Sequence, residues 1–233
     1  MPEQRTWRSI LIEAGVIVGS ILLAFAIDAG WDARGEASRR RAVIDGLVSD
    51  FAAVRADLDR VAGFHAENRA AAAGLMELGS RGPVPDAAAH LADSLFAAAV
   101  LGGSFDAPLG TLQSLINAGD LDLIGDPELA AMLTSFPGLV SDLDREQAWM
   151  RELMLEMYRY LASIGVGAEM GLSDPYWDLS WEIPGGSIHG IAHTPGFRTW
   201  IGGLWQVYGN TTEDLRAIDA SLTVIEASLA ALR

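Results

Sequence analysis

The chain of 233 residues contains no cysteine and no lysine; its 16 basic residues are all arginine, set against 31 Asp and Glu. Without cysteine there can be no disulfide, no thiolate metal site and no cysteine nucleophile. With a net charge of −15, its surface repels phosphate backbones and anionic headgroups, so nucleic acid is not an expected partner. The acidity keeps an alanine-rich helical domain in solution. Also missing are a G-x-S-x-G nucleophile elbow, a glycine-rich phosphate loop and an H-E-x-x-H zinc motif. There is no alternating strand pattern and no tandem repeat. Half of the residues are apolar, which excludes a disordered chain.

What is present is an apolar run, Ile10 to Ile27, with Glu13 as its only charge. As a helix it spans about 27 Å, close to the hydrocarbon thickness of a bilayer. Trp7 and Trp31 bracket it roughly 36 Å apart, where indole rings settle at the two interfaces. Arg5 and Arg8 with Ala24-Phe25-Ala26 also fit a cleaved signal peptide. Against cleavage, the run exceeds a usual h-region, contains Glu13 and passes directly into helix-compatible sequence. The expectation is a retained anchor over 10–31, behind a short tail over 1–9. Counting Arg34, Arg39, Arg40 and Arg41 would place the following domain in the cytoplasm. Asp28 and Asp32 stand between that cluster and the membrane, and long domains translocate largely regardless of charge. The expected location is a bacterial inner membrane, crossed once, with a periplasmic domain. Gly15 and Gly19 form G-x-x-x-G, a spacing at which two membrane helices approach closely. Glu13 reads as a carboxylate reaching for headgroups, or as a buried partner inside an oligomer.

Residues 36–233 read as one helical domain. Ile44, Leu47, Phe51, Val54, Leu58 and Val61 step by three and four, and the register continues through His65, Asn68, Ala72 and Leu75. That is a heptad seam, with polar residues at two of its positions. The helix ends near Leu78, before Gly79 and Gly82-Pro83, and can run on from the anchor with a bend at Gly30 or Gly35. Asp86 is expected to cap a helix from Ala87 to Leu101. A short helix follows over Leu109–Ala118. Asp126-Pro127-Glu128 starts another, which Pro137-Gly138 is expected to kink or restart before it runs on from Leu139 to Leu161. Residues 168–194 lack helical period, and two tryptophans, Trp177 and Trp181, can pack this long loop down. Thr194-Pro195 caps a last helix, whose apolar residues from Leu204 to Leu232 repeat the three-four step. The fold class is all-α: a transmembrane helix, then an antiparallel bundle of long helices with shorter ones packed across it.

Few residues suggest chemistry. His189 and His193 form H-x-x-x-H, but glycines around them argue for a loop rather than a zinc-binding helix. Asp120, Asp122 and Asp126 lack the EF-hand spacing, and capping accounts for Asp126. Met150, Met154 and Met157 form a core stripe. No metal and no cofactor is expected.

Two stretches carry a resemblance. Glu13 to Trp31 has an early acid, small residues and a tryptophan just past the span. Leu112-Gln-Ser-Leu-Ile-Asn-Ala-Gly-Asp-Leu-Asp-Leu-Ile124, with Asp126 and Leu129, reads as helix, glycine, turn, helix. Together they resemble an uncharacterised family of bacterial proteins with one N-terminal membrane helix and a helical soluble domain. The resemblance implies architecture and no known activity. The expected function is a non-catalytic, membrane-anchored scaffold bound to the lipid bilayer and to a membrane protein partner or further copies of itself. Two alternatives stay open: a tethered sensor holding a small ligand near Trp177, Trp181, His189 and His193, and a metal-dependent enzyme using those histidines.

Overall fold

The computed structural model describes residues 7–166 and 188–233, with side chains described for Glu13 and from Gly15 onward, Ala33 excepted. Five helices make up the fold: α1 (Trp7–Leu78), α2 (Ala89–Val100), α3 (Gly110–Ala118), α4 (Pro127–Ser163) and α5 (Pro195–Ala231). Short 3-10 turns lie at Asp86–Ala88, Leu121–Ile124 and Ile188–Gly190. There is no strand among the described residues. The chain is all-α.

α1 is 72 residues long, so it extends for about 108 Å. It passes through Gly30 and Gly35 without interruption. The apolar side chains from Val16 to Ile27 have nothing packed on them and are 50% to 67% exposed. Among the described side chains, the first buried residue of α1 is Ile44, about 26 Å beyond Ile27 along the helix. An exposed, mixed-charge stretch of helix therefore separates the apolar segment from the core. By length and composition, α1 is the one helix among the described residues able to cross a bilayer.

Beyond Ile44 the seam does what its spacing predicts. Ile44, Leu47, Phe51, Val54, Leu58 and Val61 are all buried. Their partner is α5, and numbers along α5 fall as those along α1 rise. Asp45 meets Arg233, Arg55 reaches Asp219 and Glu226, and Asn68 meets Tyr208. α4 lies against α5, and α2 against α1. The apolar interior falls into two clusters. The lower one, nearer the apolar segment along α1, joins Leu47–Val61, α3, the first part of α4 and Leu215–Leu229. The upper one joins Ala71–Leu75, α2, Met150–Leu161 and Ile188–Tyr208.

Local chemistry sets several helix ends. The Asp126 carboxylate accepts from Glu128 N at 3.0 Å and Leu129 N at 3.1 Å, with Pro127 at the first helical position. Thr194 Oγ1 accepts from Phe197 N, behind Pro195. Gly119 and Gly125 both adopt φ +71°, which side-chain-bearing residues avoid. They fold the α3–α4 turn against α1, where Arg39 pairs with Asp120 and Arg40 donates to the Ile124 carbonyl at 2.9 Å.

Two expectations need correction. Pro137 does not restart the helix: α4 is continuous from Pro127 to Ser163. Buried Leu133 and Phe136 pack the turn whose backbone bond proline removes. Asp86 caps no helix, because the chain enters a 3-10 turn there and α2 begins only at Ala89. The Asp86 carboxylate instead faces His189 Nε2 at 3.2 Å.

Candidate functional site

The residues singled out from the sequence do not converge. Gly15 and Gly19 lie on α1, with nothing within 4 Å of where a Cβ would stand. Glu13 and Trp31 are exposed on the same helix, Trp31 at 73%. Trp7 opens α1, but its side chain lies outside those described. Trp177 and Trp181 lie outside the described residues. His189 sits in a 3-10 turn beside Asp86, and His193 precedes the Thr194 cap. Among the described residues, no group of three or more His, Cys, Asp or Glu could hold a metal ion. The three aspartates of the α3–α4 turn do not act as a set: Asp126 caps α4 and Asp120 pairs with Arg39. Met150 and Met157 are buried in the upper core, as their stripe predicts.

The segment carrying the two histidines is docked on the end of α1 by a close backbone approach. A Cβ at Gly79 would stand 2.7 Å from the Ala192 carbonyl carbon and nearer still to its oxygen. Gly79 does not adopt the left-handed backbone that only glycine takes readily, and at such positions alanine ordinarily stabilises by about 0.4–1 kcal/mol. Here Gly79→Ala is expected to destabilise by about 1–3 kcal/mol, as overpacking does. Thermal unfolding of the variant checks the sign.

The more distinctive feature is inside. Between the two apolar clusters lie four buried polar residues: His65, Asn68, Gln147 and Thr211. His65 and Asn68 are successive seam positions on α1. Contacts of Leu153 with Gly203 and of Tyr160 with Gly196 set the α4–α5 register. That register brings Gln147 to the level of Tyr208 and Thr211. The four therefore form one polar layer across α1, α4 and α5.

Part of this layer is well paired. The Tyr208 hydroxyl donates to Ala99 O at 2.7 Å and accepts from Asn68 Nδ2 at 3.3 Å. Asn68 Nδ2 also donates to Leu101 O. Thr211 Oγ1 donates back to Val207 O at 2.9 Å. Burial pushes the Tyr208 hydroxyl above the usual phenol range, and pushes Tyr158 up to about 12. Both stay neutral far beyond physiological pH.

The rest is not paired. The His65 ring packs edge-on to Tyr208, centroids 5.5 Å apart. Neither of its ring nitrogens, nor Gln147 Nε2, has a partner of good hydrogen-bond geometry. Burial lowers the His65 pKa below the usual imidazole range, and the nearby Gly103 backbone offsets this only in part. An unpaired buried polar group costs about 1–3 kcal/mol, so this layer opposes folding where an apolar one would favour it. Just beyond it, the Arg69 guanidinium stacks on Trp205, 4.6 Å from the ring centroid.

His65 and Asn68 were visible in the sequence as polar breaks in a heptad seam. Gln147 and Tyr208 were not, since each lies in a stretch that reads equally well as ordinary amphipathic helix. No protein-family model, curated protein or solved structure matches the chain.

Proposed function

We propose that this chain is a single-pass scaffold of a bacterial inner membrane. Its anchor carries an antiparallel helical bundle on a rigid helical stalk, and the bundle engages a protein partner or a second copy of the chain. The observation that carries this reading is the continuity of α1, from exposed apolar side chains to the buried seam. Eight large apolar side chains between Val16 and Ile27 lack any cover. Burying each is worth about 1.5–3 kcal/mol, so the set is worth on the order of 12–24 kcal/mol. That rivals the whole stability of an ordinary domain, about 5–15 kcal/mol. A bilayer covers such a segment, with Trp31 at the level of its far interface.

The stalk supports a role in positioning. It sets the bundle about 26 Å from the end of the apolar segment, and its last turns are braced by Arg39 and Arg40 against the α3–α4 turn. Gly15 and Gly19, with open space around them, support close approach of a second membrane helix.

The natural absence of cysteine makes the test direct. A Ser163→Cys variant, labelled in intact cells with a membrane-impermeant maleimide, is expected to react if the bundle is periplasmic. Reaction only after lysis would place it in the cytoplasm. Detergent-solubilised protein is expected to lose a dimer or higher species on Gly15→Leu with Gly19→Leu. Equal monomers in both would remove the self-assembly part of the reading.

A further inference from the structure

The link between α2 and α3, Leu101–Leu109, has no regular structure and runs over His65 along α1. Leu101 O accepts from Asn68, and Ser104 O accepts from Arg60 at 3.1 Å. Asp106 N donates to the Asp57 carboxylate at 2.9 Å. Gly103 sits so close to the Phe64 ring that an added Cβ would lie 3.2 Å from it. Phe105 is the only buried residue of the link and belongs to the lower core, with Ala107 and Leu109 packed against it. Ahead of it, the hold on Leu101–Ser104 spans α1 from Arg60 to Asn68, with His65 beneath it, and is largely polar.

We propose that Leu101–Ser104 is an acid-released strap: protonation of His65 frees it from α1 while Phe105 stays in the lower core and both apolar cores stay folded. This goes beyond the membrane reading and does not depend on it. The physical reason is solvation. The Gly103 backbone offsets only part of the cost of burying an imidazolium here, and a buried charge with no counter-charge must reach water or be lost. On the α5 side His65 meets Tyr208; Leu101–Ser104 are exposed or half-buried, so water enters most easily by lifting the strap.

No neighbouring charge substitutes for that water. From α5, Tyr208 is neutral throughout the acid range. From α4, Gln147 is uncharged, and Glu146 is its chain neighbour. Beyond the strap, Asp106 is tied through its backbone to Asp57 and is not among the groups that shift His65. On α1 itself, Arg60 is paired with Asp57 and Arg69 lies over Trp205. With the strap open, His65 regains an ordinary imidazole pKa near 6.5. The closed form binds its proton less readily, so it is favoured above that value and loses ground as pH falls below it. Between the open and closed pKa values, the closed-to-open ratio falls about tenfold per pH unit.

The test uses the full-length chain with Ser104→Cys carrying a nitroxide, read between pH 8 and pH 5, above the ordinary carboxylate range. The mobile fraction of the label is expected to rise several-fold as pH falls, following a single proton. In the same chain with His65→Gln, it is expected to stay flat. A label that does not respond in the histidine chain, or responds equally in both, overturns the proposal. Should His65→Gln fail to fold, proton NMR of the imidazole rings decides in the otherwise native chain. His65 titrating below 6.5 together with strap mobility supports the proposal; titration at or above 6.5 overturns it.

Discussion

Removing residues 1–35 is expected to turn a protein that stays with membranes through alkaline carbonate extraction into one recovered entirely in solution. The remaining domain should fold as before. Its first buried residue, Ile44, and the Arg39 and Arg40 contacts to the α3–α4 turn are all retained. The eight uncovered apolar side chains that are lost contribute nothing to the core. In the proposed reading, their transfer into lipid, on the order of 12–24 kcal/mol, holds the full chain in the membrane. The truncated protein should therefore unfold within a few degrees of the full-length one. If it stayed membrane-bound, the anchor would have to lie elsewhere in the chain. If it failed to fold, α1 would be contributing more to the core than its exposed first half indicates. Leu22→Arg should weaken insertion without touching the bundle, since an arginine at the centre of a membrane helix costs about 2.5–3.5 kcal/mol.

Phe136→Ala is expected to be the most damaging of the single core changes considered. Phe136 is fully buried and meets Phe51 edge-on, with centroids 5.1 Å apart and rings at 71°. Truncating a buried phenylalanine costs about 3–5 kcal/mol. The site is worse than average, because Pro137 follows and leaves the Leu133 carbonyl without its helical donor. With the ring gone, little holds α4 together across that turn. The loss should appear as a fall in melting temperature of about 6–20 °C. Hydrogen exchange should locate it: α3 and the first half of α4 should lose protection before α2 and the start of α5. The polar layer at His65, Asn68, Gln147 and Thr211 divides the two cores, which is why the damage stays local. A loss below about 1 kcal/mol would mean that α4 does not pack on α1 through this pair.

The parts of this fold that were legible in sequence are those governed by local periodicity and capping. Ile44 to Val61 could be read as a seam because each residue is three or four from the next. Asp126-Pro127 and Thr194-Pro195 could be read as starts because cap, proline and first turn are adjacent in the chain. Pro137 misled because proline's local penalty is visible, whereas the burial of Leu133 and Phe136 that offsets it is a tertiary effect. Asp86 misled for a similar reason: its aspartate fits a cap, but its actual neighbour, His189, is 103 residues away. The polar layer was half legible. His65 and Asn68 interrupt an apolar seam and so announce themselves. That Gln147 and Tyr208 stand at the same level follows only from the register between helices, and single-chain periodicity carries no information about it.

The proposed anchoring requires α1 to be one helix that leaves a bilayer near Asp28 and enters the core at Ile44. In this naturally cysteine-free chain, single cysteines can be placed in turn from Ala24 to Arg41 and given a nitroxide in liposomes. The prediction is high accessibility to dissolved oxygen up to Ile27, then a crossover to accessibility from water. From Asp28 onward, a helical period of about 3.6 residues should persist, with labels at Arg39 and Arg40 slowed by the α3–α4 turn. Water accessibility throughout 24–27, absence of that segment from the mature chain, or loss of the period between Asp28 and Arg39 would contradict it.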